Sequence, residues 1–346
     1  SLYRSYWCGL HPLRPQGDWD DAPPLPARAS DAGFHTVLIT DEPRVADHQL
    51  AASFEQVVRV DAGQPDKPAI ELEETALARL LAVAGQWFEN SVRLTPDRPF
   101  LLWVHARGMD GPWDAPTRLR QAVADEDDPK PLPGIAVPRQ LLDANADPDK
   151  RFLQLCAYAG QVTLLDQCLE AFLGQVFASP RADRTAVAFL GARGFPLGEH
   201  GRIGDIDETL HGESLHVPWL LRLPEPNTAL VRSQGLVQPA DLMPTLAQWL
   251  GVPCSDDGKD GTNLLSIASG SQADVQRALL AGTPQGERAL RTTEWLLRKP
   301  TVGPMQLFAK PDDRWETNDV ADRCEDVVEQ LSLAMEQEER RLSSAW

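Results

Sequence analysis

Long apolar runs are missing from this sequence of 346 residues, although apolar residues make up 42% of it. A helix that crosses a membrane needs about 18 or more predominantly apolar residues in a row, and no stretch of the chain offers them. Basic residues are also scarce, since 33 Lys and Arg stand against 51 Asp and Glu, for a formal net charge of −18. Nucleic-acid binding and docking on anionic lipid both depend on Lys and Arg that meet phosphates. We therefore expect no nucleic-acid partner and no membrane span.

Cysteine is sparse as well, and its five residues are Cys8, Cys156, Cys168, Cys254 and Cys324. Their number is odd, they are widely spaced, and none forms a C-x-x-C pair. A zinc site or a disulfide framework is therefore not expected, and a reducing compartment fits the pattern best. The first residues also lack the basic and apolar regions of a signal peptide. Both observations favour a cytoplasmic location.

Short apolar strand patterns alternate with helix patterns over most of the chain. Strands are predicted at HTVLIT (35–40), PFLLWVHA (99–106), TAVAFLG (185–191) and HVPWLLRLP (216–224). Helices are predicted at 71–92 and 151–180, where apolar residues recur at intervals of three and four. This alternation predicts an α/β fold with a mostly parallel (mixed) central sheet and helices on both faces. The nearly continuous apolar runs, PFLLWVHA above all, predict strands that are covered on both faces.

The C-terminal part of the chain has a different pattern. Two short strand-like runs, RALRTTEWLLRKP and MQLFAKPD, precede a charged helix from about Asp322 to Arg341. We interpret residues 271–346 as a small C-terminal α+β subdomain and residues 1–270 as the main α/β domain.

Five segments stand out because they occur together and in a fixed order. They are PFLLWVHARGMDGPWDAP (99–116), GQVTLLDQCLEAFL (160–173), LGARGFPLGEHGRIGD (190–205), GESLHVPWLLRLP (212–224) and VQPADLMPTLAQWLGVP (237–253). They resemble, in the same order, five motifs of the sulfatase family of the alkaline-phosphatase superfamily. These motifs are the strand and DPHxPY loop, YxAxVxxxDxxLGxLL, SDHGExLGEHGxxGK, EESLRVPLLIRxP and VSxVDLxPTLLDLAGxP.

The resemblance implies an alkaline-phosphatase-like fold and an ancestry among hydrolases of sulfuric esters. It also implies a formylglycine nucleophile, made from Cys or Ser, and a divalent cation, usually calcium. Hard cations of this kind are held by clustered oxygen ligands, above all carboxylates. In the family, such a cation neutralises the sulfate and helps to orient the nucleophile.

The chain departs from the family pattern at the positions that would carry this chemistry. Ala192 and Arg193 stand where the resemblance places an Asp-His pair of metal ligands. Alanine offers no ligand atom, and a guanidinium has no lone pair to donate. Asp205 stands at the position of a sulfate-binding lysine, and the histidine of the DPHxPY loop falls on Asp110 or is deleted. Each of these departures opposes catalysis.

Two further parts of the family site fall outside the sequence when Gly9 is aligned with the glycine of the family's Thr-Gly motif. The paired aspartates of the first strand and the nucleophile would both precede Ser1, and Arg4 is the candidate for the arginine of the nucleophile motif. Because the calcium ligands of the family are not found in this chain, we expect no cofactor.

The remaining candidates for a cleft or an anion-binding role are Arg4, His105, Trp113, Arg193, His200 and His211. Arg193 either replaces the charge of the cation and holds an anion, or is a solvated or ion-paired loop residue. His105 at a strand end is either functional or part of the core, and Trp113 either packs or lines a pocket. His200 is a loop histidine or a ligand, and His211 is expected to bond backbone near the cleft.

From these residues we predict a sulfatase-like protein that is catalytically inactive and that binds a small anion, a sulfated or phosphorylated ligand, or another partner. The alternative is an active sulfatase or phosphoric-ester hydrolase whose N-terminal catalytic segment is missing from this chain. A scaffolding role without a small-molecule ligand is the third interpretation.

Overall fold

The computed structural model describes residues 2–15, 23–143, 146–206, 209–224, 232–254, 260–268 and 277–343. The chain divides into two compact units, which are treated separately below. The first unit comprises Ser1–Ala29, Val187–Gly194 and Asp207–Trp346, and the second comprises Ser30–Ala186 and Phe195–Ile206. The predicted domain boundary between residues 270 and 271 lies outside the described residues. Among the described helices, none is both long and apolar enough to cross a membrane.

The α-helices of the described residues are α1 (Leu2–Cys8), α2 (Leu25–Asp31), α3 (Pro43–Ala46), α4 (Ala76–Leu94), α5 (Thr117–Gln121), α6 (Pro148–Ala178), α7 (Gly212–Leu215), α8 (Leu242–Leu250), α9 (Leu265–Ala268) and α10 (Glu325–Ser343). The two long predicted helices correspond to α4 and α6. Helix α4 begins later than predicted because Thr75 caps it, its side chain accepting a hydrogen bond from the backbone of Ala78 at 3.2 Å.

The strands are β1 (His35–Thr40), β2 (Gln56–Arg59), β3 (Phe100–His105), β4 (Gln140–Leu141), β5 (Val187–Leu190), β6 (Arg202–Ile203), β7 (Trp219–Arg222), β8 (Leu279–Gly282), β9 (Arg288–Arg291), β10 (Trp295–Lys299) and β11 (Gln306–Ala309). The four strands predicted for the main domain are present as β1, β3, β5 and β7, and the two runs of the tail contain β9, β10 and β11. Strands β2, β4, β6 and β8 were not predicted.

The second unit contains a parallel sheet in the order β2-β1-β3. One face of this sheet packs against α4, where Val37 and Ile39 meet Leu80 and Ala84, all of them fully buried. These residues alternate along β1 and recur at helical spacing on α4, so the strand and helix periods of the sequence meet in one core. This parallel sheet with its packed helix confirms the predicted α/β class.

The predicted burial of β3 and β5 on both faces is not found. All six residues of β3 and all four of β5 are partly exposed. Strand β3 lies at the edge of its sheet, and β5 pairs antiparallel with β7 in a sheet of two strands in the first unit. A strand with one neighbour cannot be covered as an interior strand is, so an apolar run by itself does not establish burial.

The C-terminal part of the first unit is an antiparallel sheet in the order β11-β10-β9-β8, covered by α10. Leu290, Leu297 and Leu307 of the sheet pack with Leu331 and Met335 of the helix. The apolar positions of α10 are separated by charged residues, which produces a helix with one apolar face. This arrangement agrees with the predicted α+β character of the tail.

Helices α5 and α6 of the second unit approach each other closely at Gly160. A Cβ atom at this position would lie 2.9 Å from Cγ and 3.0 Å from the backbone nitrogen of Arg120. Arg120 is fully buried, and its guanidinium donates to the carbonyls of Leu132 and Gly134 at 2.8 Å each and to the carbonyl of Trp113. The glycine therefore makes room for an arginine that holds the loop after α5.

We expect Gly160→Ala to destabilise the protein by about 1–3 kcal/mol, because the added methyl group displaces the Arg120 backbone. Gly174 is the matched control, since it lies in the same helix with nothing within 4 Å of a Cβ. Gly174→Ala should stabilise the protein by about 0.5–1 kcal/mol through helix propensity. Urea unfolding of both variants tests the close approach, and equal effects at the two positions would contradict it.

Candidate functional site

The loop that follows β5 in the first unit is held at both ends by its backbone. The Gly191 nitrogen donates to the Pro218 carbonyl at 2.9 Å, and the Tyr6 hydroxyl donates to the Gly191 carbonyl at 3.4 Å. The Gly194 nitrogen donates to the Ser214 carbonyl at 3.0 Å, and a Cβ at Gly194 would lie 1.7 Å from the Glu213 carbonyl oxygen. Only glycine fits this second contact, so the position of the loop is fixed by steric exclusion.

Between these two anchors lie Ala192 and Arg193, both exposed. A methyl group and a guanidinium provide no oxygen or nitrogen lone pair, whereas calcium takes six to eight oxygen ligands. The permanent positive charge of Arg193 also opposes a divalent cation beside it. The two residues after β5 therefore do not fit the cation that the family resemblance implies.

Arg4 is used inside the first unit. It is buried in α1, and its guanidinium donates to the carbonyls of Arg14 and Pro15 at 3.1 Å each. Because α1 is followed by a turn, these two bonds hold the chain that leaves the helix. Arg4 thus stabilises the backbone that follows α1.

His211 lies in a buried network of side chains, not against backbone as predicted. Its Nδ1 lies 2.8 Å from a carboxylate oxygen of Glu316, and its Nε2 lies 2.6 Å from the guanidinium of Arg298. Arg298 also donates to Glu287 at 2.6 Å, and Glu316 accepts from Lys310 at 2.8 Å. Since a guanidinium only donates, Nε2 must accept and Nδ1 must carry the proton. The network therefore fixes the neutral tautomer of His211.

The acidic residues around His211 do not fit a metal ion. His211, Glu213 and Glu316 each present a ligand-type atom within 4.8 Å of the others. Both ring nitrogens of His211 are nevertheless engaged, and two cations, Arg298 and Lys310, contact the group. Burial acts to raise the pKa of Glu316, but the hydrogen bonds from His211 and Lys310 outweigh it and lower that pKa to about 2. Lys310 and Arg298 thus already supply the positive charge that a metal ion would bring.

A second group of charged residues lies in the second unit, where the parallel strands β1 and β3 end. Asp41 and Glu42 follow β1, and Arg107 follows β3. The backbone nitrogen of Arg107 donates a hydrogen bond to the Asp41 carboxylate at 2.7 Å. The Glu42 carboxylate accepts a hydrogen bond from the Arg44 guanidinium at 3.0 Å and forms an ion pair with Arg107 at 3.5 Å. In open α/β sheets, ligands bind at the carboxyl ends of the strands. We name the following residues together the strand-end cluster: Asp41, Glu42, Arg44, His105, Arg107, Asp110 and Arg139.

Asp110 contributes to the strand-end cluster from the short 3₁₀ helix Gly108–Asp110. One carboxylate oxygen lies 3.2 Å from Arg44 and the other lies 3.3 Å from Arg139. The position that the resemblance associates with a histidine thus carries a carboxylate between two guanidinium groups.

His105 and Asp41 of this cluster are shifted toward their neutral forms. Burial lowers the pKa of His105, the charge of Glu42 raises it by a smaller amount, and the charge of Arg44 lowers it further. Burial also raises the pKa of Asp41, partly offset by the hydrogen bond from Arg107. A buried group loses solvation of its charged form, which explains both directions. His105 at the end of β3 is consequently a neutral imidazole near neutral pH, able to accept or donate a hydrogen bond.

Trp113, His200 and Asp205, which the sequence also singled out, lie in the second unit but do not belong to the strand-end cluster. Trp113 is 2% exposed, its indole nitrogen donates to the Met109 carbonyl at 3.1 Å, and its ring packs against Tyr158 and Phe195. His200 is partly buried, with its carbonyl accepting from Arg202 at 3.0 Å. Asp205 follows β6 and is partly buried. Trp113 therefore contributes to a packed aromatic cluster.

Sequence reasoning missed most of the strand-end cluster and all the charged partners of His211. A signal for the first was available, because Asp41, Glu42 and Arg107 directly follow the carboxyl ends of two predicted parallel strands. No such signal existed for Glu316 and Arg298. They lie 105 and 87 residues from His211, and only the packing of the C-terminal sheet brings them together.

Comparison with known proteins shows where the chain has relatives. The family model named Sulfatase matches residues 7–252. The multifunctional alkaline phosphatase superfamily protein PehA of Trinickia caryophylli is 28% identical over 125 residues, which span 35% of this chain and 24% of that protein. The match therefore covers about a quarter of the length of this curated relative.

Solved structures show the same fold at lower identity. BT4656, solved in complex with its substrate D-glucosamine-2-N,6-O-disulfate, superposes with a TM-score of 0.76 at 14% identity, covering 99% of this chain and 88% of that one. The phosphonate monoester hydrolase of Agrobacterium radiobacter superposes with a TM-score of 0.72 at 16% identity, covering 97% and 86%. At these identities the likeness shows the fold alone.

The Glu316 network generates a prediction about acid stability. The pKa of Glu316 is lowered from 4.5 to about 2, so its contribution to stability is complete above pH 4.5 and is lost as the pH falls toward 2. We expect Glu316→Gln to lower the free energy of unfolding by about 3 kcal/mol at neutral pH, a difference that shrinks toward pH 2. Urea unfolding across this range provides the measurement.

Glu336→Gln is the control for that experiment, because Glu336 forms an exposed pair with Arg340 on α10. Its loss should change the free energy of unfolding by less than about 0.5 kcal/mol at any pH. A difference between wild type and E316Q that stays constant from neutral pH to pH 2 would contradict the assignment of the low pKa to Glu316.

Proposed function

The chain belongs to the sulfatase family, and we propose that it is a member that binds an anionic ligand without hydrolysing it. The observation that carries this proposal is the pair Ala192 and Arg193 at the end of β5. The resemblance places an Asp-His pair of metal ligands at these two positions. Their replacement removes donor atoms and adds a permanent positive charge.

The loss of donors weighs against hydrolysis of sulfuric or phosphoric esters by the family chemistry. A hard cation needs several oxygen atoms arranged around it, and a fixed guanidinium beside that place repels it. Asp205 adds a second effect, since the resemblance assigns its position to a lysine that contacts sulfate. A carboxylate there lacks the charged donor that would hold the sulfate group for cleavage. The alternative of an active hydrolase would require a different set of metal ligands.

Arg193 supports the binding half of the proposal. Its side chain is exposed, and the loop that carries it is anchored through Gly191 and Gly194. A guanidinium presents a planar fork of donors that matches two oxygen atoms of a sulfate, phosphate or carboxylate. A fixed loop with an exposed arginine can therefore hold an anion while offering no route to its cleavage.

We expect the purified protein to show no hydrolysis of an aryl sulfate, a phosphate monoester or a phosphonate monoester above the uncatalysed rate. Added calcium and added chelator should both leave its thermal midpoint unchanged, because a ligand that binds only the folded state would raise it. The same assay on the full-length gene product tests the alternative of an active hydrolase. Hydrolysis that a chelator abolishes would overturn the proposal.

We also expect Arg193→Gln to weaken sulfate binding at least about tenfold, because one charge-assisted hydrogen-bonding group is lost. Equilibrium dialysis with radiolabelled sulfate at low ionic strength measures this binding directly. Arg340→Gln is the matched control, since Arg340 is an exposed arginine of the same unit that pairs with Glu336. Equal binding by R193Q and R340Q would show that Arg193 does not contact the anion.

A further inference from the structure

The two oxygen atoms of the Asp110 carboxylate each contact a different arginine. Oδ2 lies 3.2 Å from a terminal nitrogen of Arg44, and Oδ1 lies 3.3 Å from a terminal nitrogen of Arg139. Arg44 belongs to α3 and Arg139 directly precedes β4, so the two guanidinium groups come from separate parts of the second unit. A bridge of this kind is what a sulfate or phosphate makes when two arginines hold it.

We propose that Arg44 and Arg139 form a binding site for a doubly charged oxyanion, and that Asp110 occupies this site in the ligand-free protein. The site lies in the strand-end cluster of the second unit, whereas the proposed function depends on Arg193 of the first unit. The inference therefore holds whether or not the chain hydrolyses esters.

The contacts of Asp110 are of the kind that a ligand can replace. The side chains of Arg44 and Arg139 are 76% and 52% exposed, and that of Asp110 is 31% exposed. Exposed ion pairs contribute little to stability because water screens them. Both distances also exceed the usual range of charge-assisted hydrogen bonds. In the first unit, by contrast, Asp260 contacts Arg14 at 2.6 Å with side chains that are 0% and 1% exposed. The two arginine contacts of Asp110 can therefore be replaced at low cost, whereas the buried contact of Asp260 cannot.

Arg44 keeps its position when Asp110 leaves. The Glu42 carboxylate holds it through contacts of 3.0 Å and 3.2 Å, and Glu42 is itself buried. Without Asp110, the strand-end cluster keeps the guanidinium groups of Arg44, Arg107 and Arg139 and two carboxylates, of which Glu42 contacts Arg44 and Arg107 and Asp41 accepts from the Arg107 backbone. The cluster then carries one net positive charge, which favours an anion, and the guanidinium groups of Arg44 and Arg139 match the several oxygen atoms of a sulfate or phosphate.

The experiment measures sulfate binding in an R193Q background, so that the anion site of the proposed function does not contribute. Asp110→Asn removes the internal anion while keeping the shape of the side chain. We expect D110N to bind radiolabelled sulfate about 5- to 10-fold more tightly than its R193Q parent at low ionic strength. Adding Arg139→Gln to D110N should bring binding below that of the parent.

Asp47→Asn is the matched control in the same background. Asp47 contacts a single arginine, Arg59, at 2.6 Å, and both side chains are well exposed. D47N removes one negative charge from the same unit, as D110N does, and it should bind sulfate with the affinity of the R193Q parent. The inference fails if D110N binds sulfate no more tightly than D47N, or if Arg139→Gln leaves the affinity of D110N unchanged. Urea unfolding of each variant verifies that the compared proteins are folded.

Discussion

Compensation of buried carboxylates by arginine and lysine is the interaction on which both units depend. The sequence has 51 acidic and only 33 basic residues, so most carboxylates must stay in water. Several carboxylates with buried side chains are paired with a cation: Asp260 with Arg14, Glu287 with Arg298, Glu316 with Lys310, and Glu42 with Arg44. Asp41 and Asp114 instead accept hydrogen bonds from backbone nitrogens. Removing one partner leaves an isolated charge in a poorly solvated place, which costs far more than the pair contributes. The Asp260–Arg14 pair joins segments 246 residues apart, so it helps to specify which segments meet, whereas the other three pairs are local in sequence.

The same use of arginine extends to the pair after β5, where the resemblance places metal ligands, and to the strand-end cluster. A divalent cation draws several carboxylates to one point, and its removal leaves those carboxylates repelling each other. In this chain the pair after β5 is Ala192 and Arg193, which needs no cation. At the strand-end cluster, Glu42 and Asp110 face guanidinium groups. Both places therefore present exposed guanidinium groups, and at the strand-end cluster the protein itself supplies an anion, Asp110.

Much of the architecture was predictable from local patterns. The short apolar run that predicts β1 at 35–40 is a property of six neighbouring residues, and the strand has those bounds. The pattern at 151–180 lies within the reach of a single helix, observed as α6 at Pro148–Ala178. Strand β2 has two polar and two apolar residues, and β8 ends in Ala281 and Gly282, so neither carries a strong strand signal. These two strands form because a neighbouring strand offers hydrogen bonds to them.

The sequence by itself determined the family, the α/β class and the departures at Ala192, Arg193 and Asp205, because motifs and ligand types are written in residue identity. Only the tertiary structure decided that His211 is locked between Glu316 and Arg298, that Trp113 is packed, and that Asp110 bridges Arg44 and Arg139. The physical reason is the separation in sequence between the residues that interact. Helix and strand periods depend on contacts between near neighbours, whereas charge pairing and burial depend on which distant segments the folded chain brings within a few ångströms.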